Sequence, residues 1–513
     1  MTSLSPVDGA AIYLLYGFVS LVTLILGYRL FLHPLRNYPG PLLAKITNCY
    51  TGLFAFKRDL HLEIWRNHQN YGPVVRVAPD RIAFNSATAL RDIYQNDRVT
   101  KPPLYLITQA KPGVHNTWNA LDRDLHRRKR KVVARAVTDA SMRAFEPDMI
   151  EQVDIFIQQL ARGHRQPINM KEKCSYLSFE IAALLSFGYA LNLQTNEENQ
   201  FLIEQLNRTN HRMNIYMQMP IIHRYKLQVY INMLFKKERE RTSRLIERMV
   251  RTRMKQDKHA KRDVYSFLAD SLDTKEDGGI RLSDLWYEAL FFIIAGGDTS
   301  ATAMSATFFY LSRNPKSYQK LAAEIRTTFQ SADEIRGSKL AGCHYLRACI
   351  DESLRMSPPA PGTLWRHLAP EEDGKLFVVD GNVIPKGTKV GVNTYSLHHN
   401  EEYFKDPFAY NPDRWIDAGE SERKAMYDAF CPFSVGSRGC AGKATAYLEL
   451  SLAVAKALWY FDFETAPGKL GDIGLGQRGE FRLYDIFTSS HDGPFLVFKP
   501  RDTFTADFGT DSV

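Results

Sequence analysis

A chain of 513 residues with 44% apolar and 24% charged side chains can bury a sizeable core, which excludes bulk disorder and any small disulfide-stapled scaffold. Its six cysteines (Cys49, Cys174, Cys343, Cys349, Cys431, Cys440) follow no regular framework, a pattern that suits a reducing compartment. The formal net charge of +9 leaves nucleic acid, an anionic membrane face and an acidic protein open as partners.

The first element is an uncharged run from Gly9 to Tyr28, close to the length of about 20 residues that a bilayer core requires. A cleaved signal peptide would need a basic leader, a shorter apolar run and a small-residue cleavage site, and none is present. Residues 10–28 therefore read as a transmembrane anchor behind a short lumenal N-terminus, 1–9. Arg29, Arg36 and Lys45 follow the span while only Asp8 precedes it, so the positive-inside rule leaves the body in the cytosol. The sequon Asn207-Arg208-Thr209 is then expected to be unused. Residues 29–41 contain His33-Pro34 and Pro39-Gly40-Pro41, which break the helix and make a stiff hinge.

The body shows long helical periodicity broken by a few strand pairs. Val74–Val77 and Arg81–Phe84 flank Pro79-Asp80, and Leu376–Val379 and Asn382–Ile384 flank the hairpin dipeptide Asp380-Gly381. A basic stretch, His126 to Lys131, opens an apolar helical run at Val132–Val137. About half of those cations must face solvent by helical geometry. A long helix is predicted from Ser283, a suitable N-cap, to the stop at Asn314-Pro315. It is apolar nearly all round, as a second membrane span or a central core helix would be. Glu288, Asp298 and the pair Gly296-Gly297 favour the core. Each glycine costs about 1 kcal/mol relative to Ala, a penalty tolerated where something bulky must approach the backbone.

The sharpest signal is Phe433-Ser434-Val435-Gly436-Ser437-Arg438-Gly439-Cys440-Ala441-Gly442. Its positions make sense if Cys440 binds haem iron as a thiolate. The helical run from Gly442 to Tyr460 places Cys440 at a helix N-terminus, where free N–H groups favour negative charge. Gly436 and Gly439 permit the tight turn, Gly442 lets the helix start beneath a flat macrocycle, and Phe433 can keep water from the sulfur. Arg438 suits a propionate carboxylate. Cys431-Pro432 is a rival ligand dipeptide, but it lacks the glycines, the arginine and the helix, so Cys431 reads as structural.

Phe-x-x-Gly-x-Arg-x-Cys-x-Gly resembles the signature loop of the cytochromes P-450, and all five fixed positions match. A chance match in a chain this long is on the order of one in ten thousand. Three further segments carry the resemblance. Glu352-x-x-Arg355 with Arg414 of Asn411-Pro412-Asp413-Arg414-Trp415 is similar to the family's buried charged triad. Ala295-Gly296-Gly297-Asp298-Thr299-Ser300 is similar to its oxygen-activation motif, in which Asp298 and Thr299 would relay protons and the glycines leave room for dioxygen and substrate. His126 stands where the family's Trp-x-x-x-Arg has Trp, with Arg130 in register, and Arg366 matches a further propionate partner.

The resemblance implies a mainly α fold with small β-sheets, a P-450 catalytic domain over 42–500 and a polar tail at 501–513. It implies haem b with an axial Cys thiolate, O2, and electrons from NADPH through NADPH-cytochrome P-450 reductase, with cytochrome b5 as a further donor. The expected substrate-binding residues are Phe291, Phe292, Ala295, Thr363, Leu364 and Phe487, with Thr488 beside them. Their apolar character points to an apolar small molecule. The wording of the hinge and of the Asn411–Trp415 segment looks most like fungal membrane-anchored microsomal members that tailor terpenoid or polyketide metabolites. The expected partners are a reductase, a lipid membrane and the substrate, with no nucleic acid, at the endoplasmic reticulum membrane. An isomerase or dehydratase on the same fold, and a non-enzymatic haem sensor, are the alternatives. Neither needs the Asp298-Thr299 pair.

Overall fold

The computed structural model describes residues 6–109, 111–163, 165–270, 282–372 and 374–501. Most of the expected lumenal N-terminus, all of the expected tail but Arg501, and the side chain of the expected N-cap Ser283 lie outside the described residues.

The N-terminal helix runs Pro6–Gly27 and continues as a wider coil over Tyr28–Leu32, where the His33 N–H reaches back to Tyr28 O at 2.8 Å. It thus passes Arg29, whose guanidinium turns away to donate to Ile46 O. Two helices are long and apolar enough to cross a membrane, and burial separates them. Nothing in the most apolar stretch of Ile12–Leu32 is buried (0%), whereas 61% of that in Trp286–Arg313 lies inside the protein. The central helix, Leu282–Arg313, is therefore core.

The hinge is fixed by the body. Arg76, completely buried on strand Val74–Ala78, donates to Arg29 O, Leu35 O and Lys45 O at 3.3 Å each and to Pro79 O at 2.9 Å. Carbonyls freed by the helix end and the prolines thus converge on one forked, multi-donor side chain.

Helices Asp139–Arg162, Met170–Phe187, His344–Met356 and Lys443–Tyr460 enclose the central helix. Phe156, Leu177, Met304, Phe308, Leu354 and Leu450 belong to the core they share. Something bulky does approach the glycine pair, as expected, and the two glycines divide: Gly296 lines an internal cavity while Gly297 meets a neighbouring helix. A Cβ on Gly297 would stand 2.6 Å from the Phe179 ring, and one on Gly296 3.1 Å from Ala182 Cβ. Gly297 makes room for the neighbouring helix rather than for dioxygen or substrate.

The sheets are small, as expected. Val74–Ala78 and Arg81–Phe84 form the first hairpin, and Lys389–Val392 adds in parallel to its second strand. The second hairpin shrinks to Val378–Val379 and Asn382–Val383. It turns through Asp380 (φ 47°) and Gly381 (φ 72°), the two left-handed residues of a type I′ turn. Phe495–Pro500 pairs with Phe461–Thr465 and with Ile168–Asn169.

One carboxylate joins the helical half to the segment leading into the cysteine loop. Glu352, fully buried, accepts from Arg355 Nε and Nη2 (both 2.9 Å), Arg414 Nε (3.1 Å), Trp415 Nε1 (3.0 Å) and the Asn411 N–H (3.0 Å). Burial alone would raise its pKa, but Arg355 and Arg414 outweigh burial and hold it below the usual carboxylate value. Glu352→Ala would leave two buried guanidinium groups without their shared anion. The expected loss is about 3–5 kcal/mol, measured as a fall in the urea midpoint at unchanged slope.

Candidate active site

The cysteine loop closes on itself: the Cys440 N–H donates to Phe433 O at 2.8 Å, Gly439 N–H to Gly436 O at 3.0 Å and Ser434 N–H to Cys431 O at 2.9 Å. Gly436 has φ +75°, and a Cβ there would lie 1.9 Å from Tyr94 O, so the position admits glycine alone. Gly442 caps helix Lys443–Tyr460 and lines a cavity, where a Cβ on it would meet nothing within 4 Å. Its missing side chain leaves the clearance a flat ring would use.

The exposed surface of Cys440 faces that internal cavity, whose volume is about 1300 Å³. Drug-sized ligand sites run to roughly 1,000 Å³, so a macrocycle and a second molecule both have room. Burial pushes the Cys440 thiol up, while the Gly442 N–H, Arg130 and Lys443 pull it back down. Phe433 lines the same cavity and packs on the Tyr447 ring at 5.1 Å. Cys431 is buried, its thiol pushed up to about 12 by burial, and its N–H donates to His398 Nε2 at 3.0 Å. Those features suit a packing residue.

Basic side chains gather at the same end. Lys101, His126, Arg130 and Arg438 line the cavity, and Arg366 stands just behind them. Among the described residues, the hydrogen bonds of Lys101, Arg366 and Arg438 go only to neutral oxygens. Lys101 donates to Trp118 O (2.5 Å), and Arg366 to Trp365 O (2.9 Å). Arg438 donates to Ala120 O (2.7 Å), Leu121 O (3.0 Å) and Thr100 Oγ1 (3.3 Å). Burial, then the neighbouring charges, lowers Lys101 well below its usual value and Arg438 to about 10. His126 is pushed down to about 3 by burial, Arg438, Lys101, Arg130 and Arg366, and so is neutral. Buried positive charge without a paired anion calls for an anionic ligand. The two carboxylates of a haem, above a thiolate and a glycine-floored surface, match that demand. Lys101 went unread in the sequence; nothing distinguishes it there beyond the following Pro102-Pro103.

Thr299 lines the cavity and its hydroxyl donates to Ala295 O at 2.6 Å, one turn back. The Asp298 carboxyl points elsewhere. It is buried, raised to about 6 by burial, and accepts from the Thr488 hydroxyl. Thr488 itself lines the cavity, so the acid reaches that space through a second alcohol rather than through Thr299 directly. Glu449, a buried acid raised to about 7 by burial, also lines the cavity and accepts from Ser178 Oγ at 2.5 Å.

Of the expected substrate residues, Phe291, Phe292, Ala295, Leu364 and Phe487 line the cavity. Phe487 forms the tip of the hairpin Tyr484–Ile486/Thr488–Ser490 at φ +89°, its N–H held by Asp485 Oδ1 at 3.0 Å. Its ring meets Trp118 at 5.3 Å, and Trp118 stacks on Phe291 at 6.3 Å. Thr363 is a correction. It bridges to Asn393, its methyl would be 2.6 Å from a Cβ on Gly391, and it lines a separate small void beside Asp485 and Asn214.

The family model described as Cytochrome P-450 matches residues 39–473. The chain is 36% identical over 504 residues to cytochrome P-450 monooxygenase poxM of Penicillium oxalicum, covering 96% of this chain and 95% of that one. It is 33% identical over 536 residues to monooxygenase apf7 of Gibberella fujikuroi, covering 98% and 99%. To monooxygenase AKT7 of Alternaria alternata it is 34% identical over 513 residues, covering 93% and 97%. Cys440→Ser is expected to abolish the red-shifted Soret band of the reduced, CO-treated protein, and Cys431→Ser to retain it. The reverse pattern would reassign the ligand.

Proposed function

This chain belongs to the cytochrome P-450 family as a haem-thiolate monooxygenase, and on that premise we propose that it inserts one oxygen atom from O2 into an apolar small molecule, a terpenoid or polyketide intermediate of fungal secondary metabolism. The observation that carries this reading is the single cavity in which Cys440, a cluster of buried cations and Thr299 converge beneath an aromatic wall. Haem b, ligated by Cys440, would supply the O2 chemistry there, with thiolate donation favouring O–O cleavage.

The chain's own residues have separable tasks in this proposal. Arg130, Arg438, Lys101 and neutral His126, with Arg366 behind them, would hold the cofactor's carboxylates, while Phe433 would keep water from the sulfur. Thr299 presents a hydroxyl to the reacting space. Asp298, raised to about 6, holds and releases a proton near neutral pH, and the Thr488 hydroxyl connects it to the cavity. Phe291, Phe292, Leu364 and Phe487 exclude water and shape the substrate volume. We infer that electrons come from NADPH through NADPH-cytochrome P-450 reductase, with cytochrome b5 as a further donor, and that the unburied N-terminal helix anchors the protein in the endoplasmic reticulum membrane.

Thr299→Ala is expected to keep haem and substrate spectra while diverting NADPH-derived electrons to peroxide. Productive turnover should drop by roughly a hundredfold. An unchanged ratio of product to NADPH consumed would reject the relay.

Removing residues 1–28 should release the body from membranes into the carbonate-soluble fraction. Removing residues 1–36 should lower the melting temperature as well, because Arg76 then loses its contacts to Arg29 O and Leu35 O. Identical melting of the two truncated forms would show that those contacts do not hold the hinge.

A further inference from the structure

At the end of the cavity remote from Cys440 the wall is not wholly apolar. Gln205 on helix Phe201–Gln218, Ser186 on the last turn of helix Met170–Phe187 and Thr242 on helix Lys236–Met254 all line it. Their exposures are 7%, 3% and 9%, so each is at least nine-tenths buried. Thr242 Oγ1 has no hydrogen-bond partner. Among the described residues the Gln205 amide and the Ser186 hydroxyl find none either. By contrast Asn210, which also lines the cavity, donates to Thr488 Oγ1 at 3.2 Å. Buried polar groups are normally satisfied, and an amide carries both donors and an acceptor, so the Gln205 amide and the Ser186 hydroxyl are left to find a partner in the cavity, while the Thr242 oxygen is shut away from it.

Their distance from the reacting end follows from the central helix. The three helices pack on its first half, where Leu206, Leu245 and Ile246 cluster with Ala289 and Ile293. Leu290 lines the cavity there and precedes Thr299 by nine residues. At about 1.5 Å of rise per residue the polar corner lies roughly 14 Å from Thr299. The charged lining residues of helix Lys236–Met254, namely Lys236, Arg239 and Glu240, are exposed.

We propose that Gln205, assisted by Ser186, is a specificity-determining residue. It binds a neutral hydroxyl or carbonyl at one end of an elongated, otherwise apolar substrate and leaves the opposite end at Cys440. The inference rests on the monooxygenase reading of the same cavity and adds the class of substrate.

The test uses the full-length holoenzyme and three homologous probe series, n-alkanes, primary alkanols and methyl ketones from octyl to hexadecyl. Affinity is read from the spin-state shift of the Soret band. The wild type should bind alkanols and ketones about tenfold more tightly than alkanes of equal length. That preference should peak at one intermediate length. Gln205→Met, similar in volume but without the amide, should remove the preference while alkanes bind as well as before or better. Ser186→Ala should halve it or more, and serves if Gln205→Met does not fold. A merely structural role for Gln205 would weaken all three series together. Equal binding of alkanes and alkanols by the wild type, or no spectral shift with any probe, overturns the proposal and leaves the corner as a water site. Failure of the underlying reading shows separately, as a missing CO-bound Soret band or no reductase-dependent product from any probe.

Discussion

On the proposed reading Cys440 has to be enclosed and anionic at once, and the two requirements oppose each other. Enclosure favours the neutral thiol, so the charge must be stabilised by groups fixed in advance. The Gly442 N–H at the start of the following helix, Arg130 and Lys443 provide that stabilisation. The loop that delivers them tolerates little variation, since the turn at Gly436 presses against Tyr94 O. Its position depends in turn on Glu352, which fastens Arg355, Arg414, Trp415 and Asn411 in one buried network ahead of the loop. A buried ion network is weak evidence for stability as such. Here its value is placement, because the thiol is useful only where the cavity, the cations and the central helix meet it.

The same logic of opposed demands explains the cations. Lys101, Arg366 and Arg438 hold backbone carbonyls and a hydroxyl, which keeps their geometry but leaves their charge unneutralised. That arrangement is tolerable only if a ligand with negative charge completes it. The protein thus carries electrostatic strain on behalf of its cofactor. Asp298 shows the opposite sign of the effect: burial raises it, the Thr488 hydroxyl and the charge of Lys171 offset that only in part, and it sits near the middle of the useful pH range.

What could be read from the sequence was whatever is encoded by local spacing. Cys440 with its glycines, Glu352 with Arg355, and the central helix all lie within single segments whose periodicity or turn chemistry names them. Roles that depend on what approaches from elsewhere were not legible. Gly297 was read as space for substrate because a sequence does not say that Phe179 comes within reach. Thr363 was assigned to the pocket wall because its pairing with Asn393 is a long-range contact. Lys101 and Gln205 reach the cavity from separate elements, and no neighbour in the chain marks them; Thr488 was expected at the pocket, but not its hold on Asp298.

The apolar wall and the polar corner also divide the labour of recognition. Contact with Phe291, Phe292, Leu364 and Phe487 yields affinity in proportion to the area covered, but that attraction has no direction. A flexible apolar molecule in a cavity of about 1300 Å³ could turn end for end and lose little by it. Fixed orientation requires an interaction that only one end of the substrate can make. A neutral amide in a water-poor corner is suited to that, because a substrate placed the wrong way round leaves the amide unpaired and buries its own polar group against aromatic rings. Selectivity of position on the substrate would then be set far from the iron, by the side chain that anchors the unreactive end.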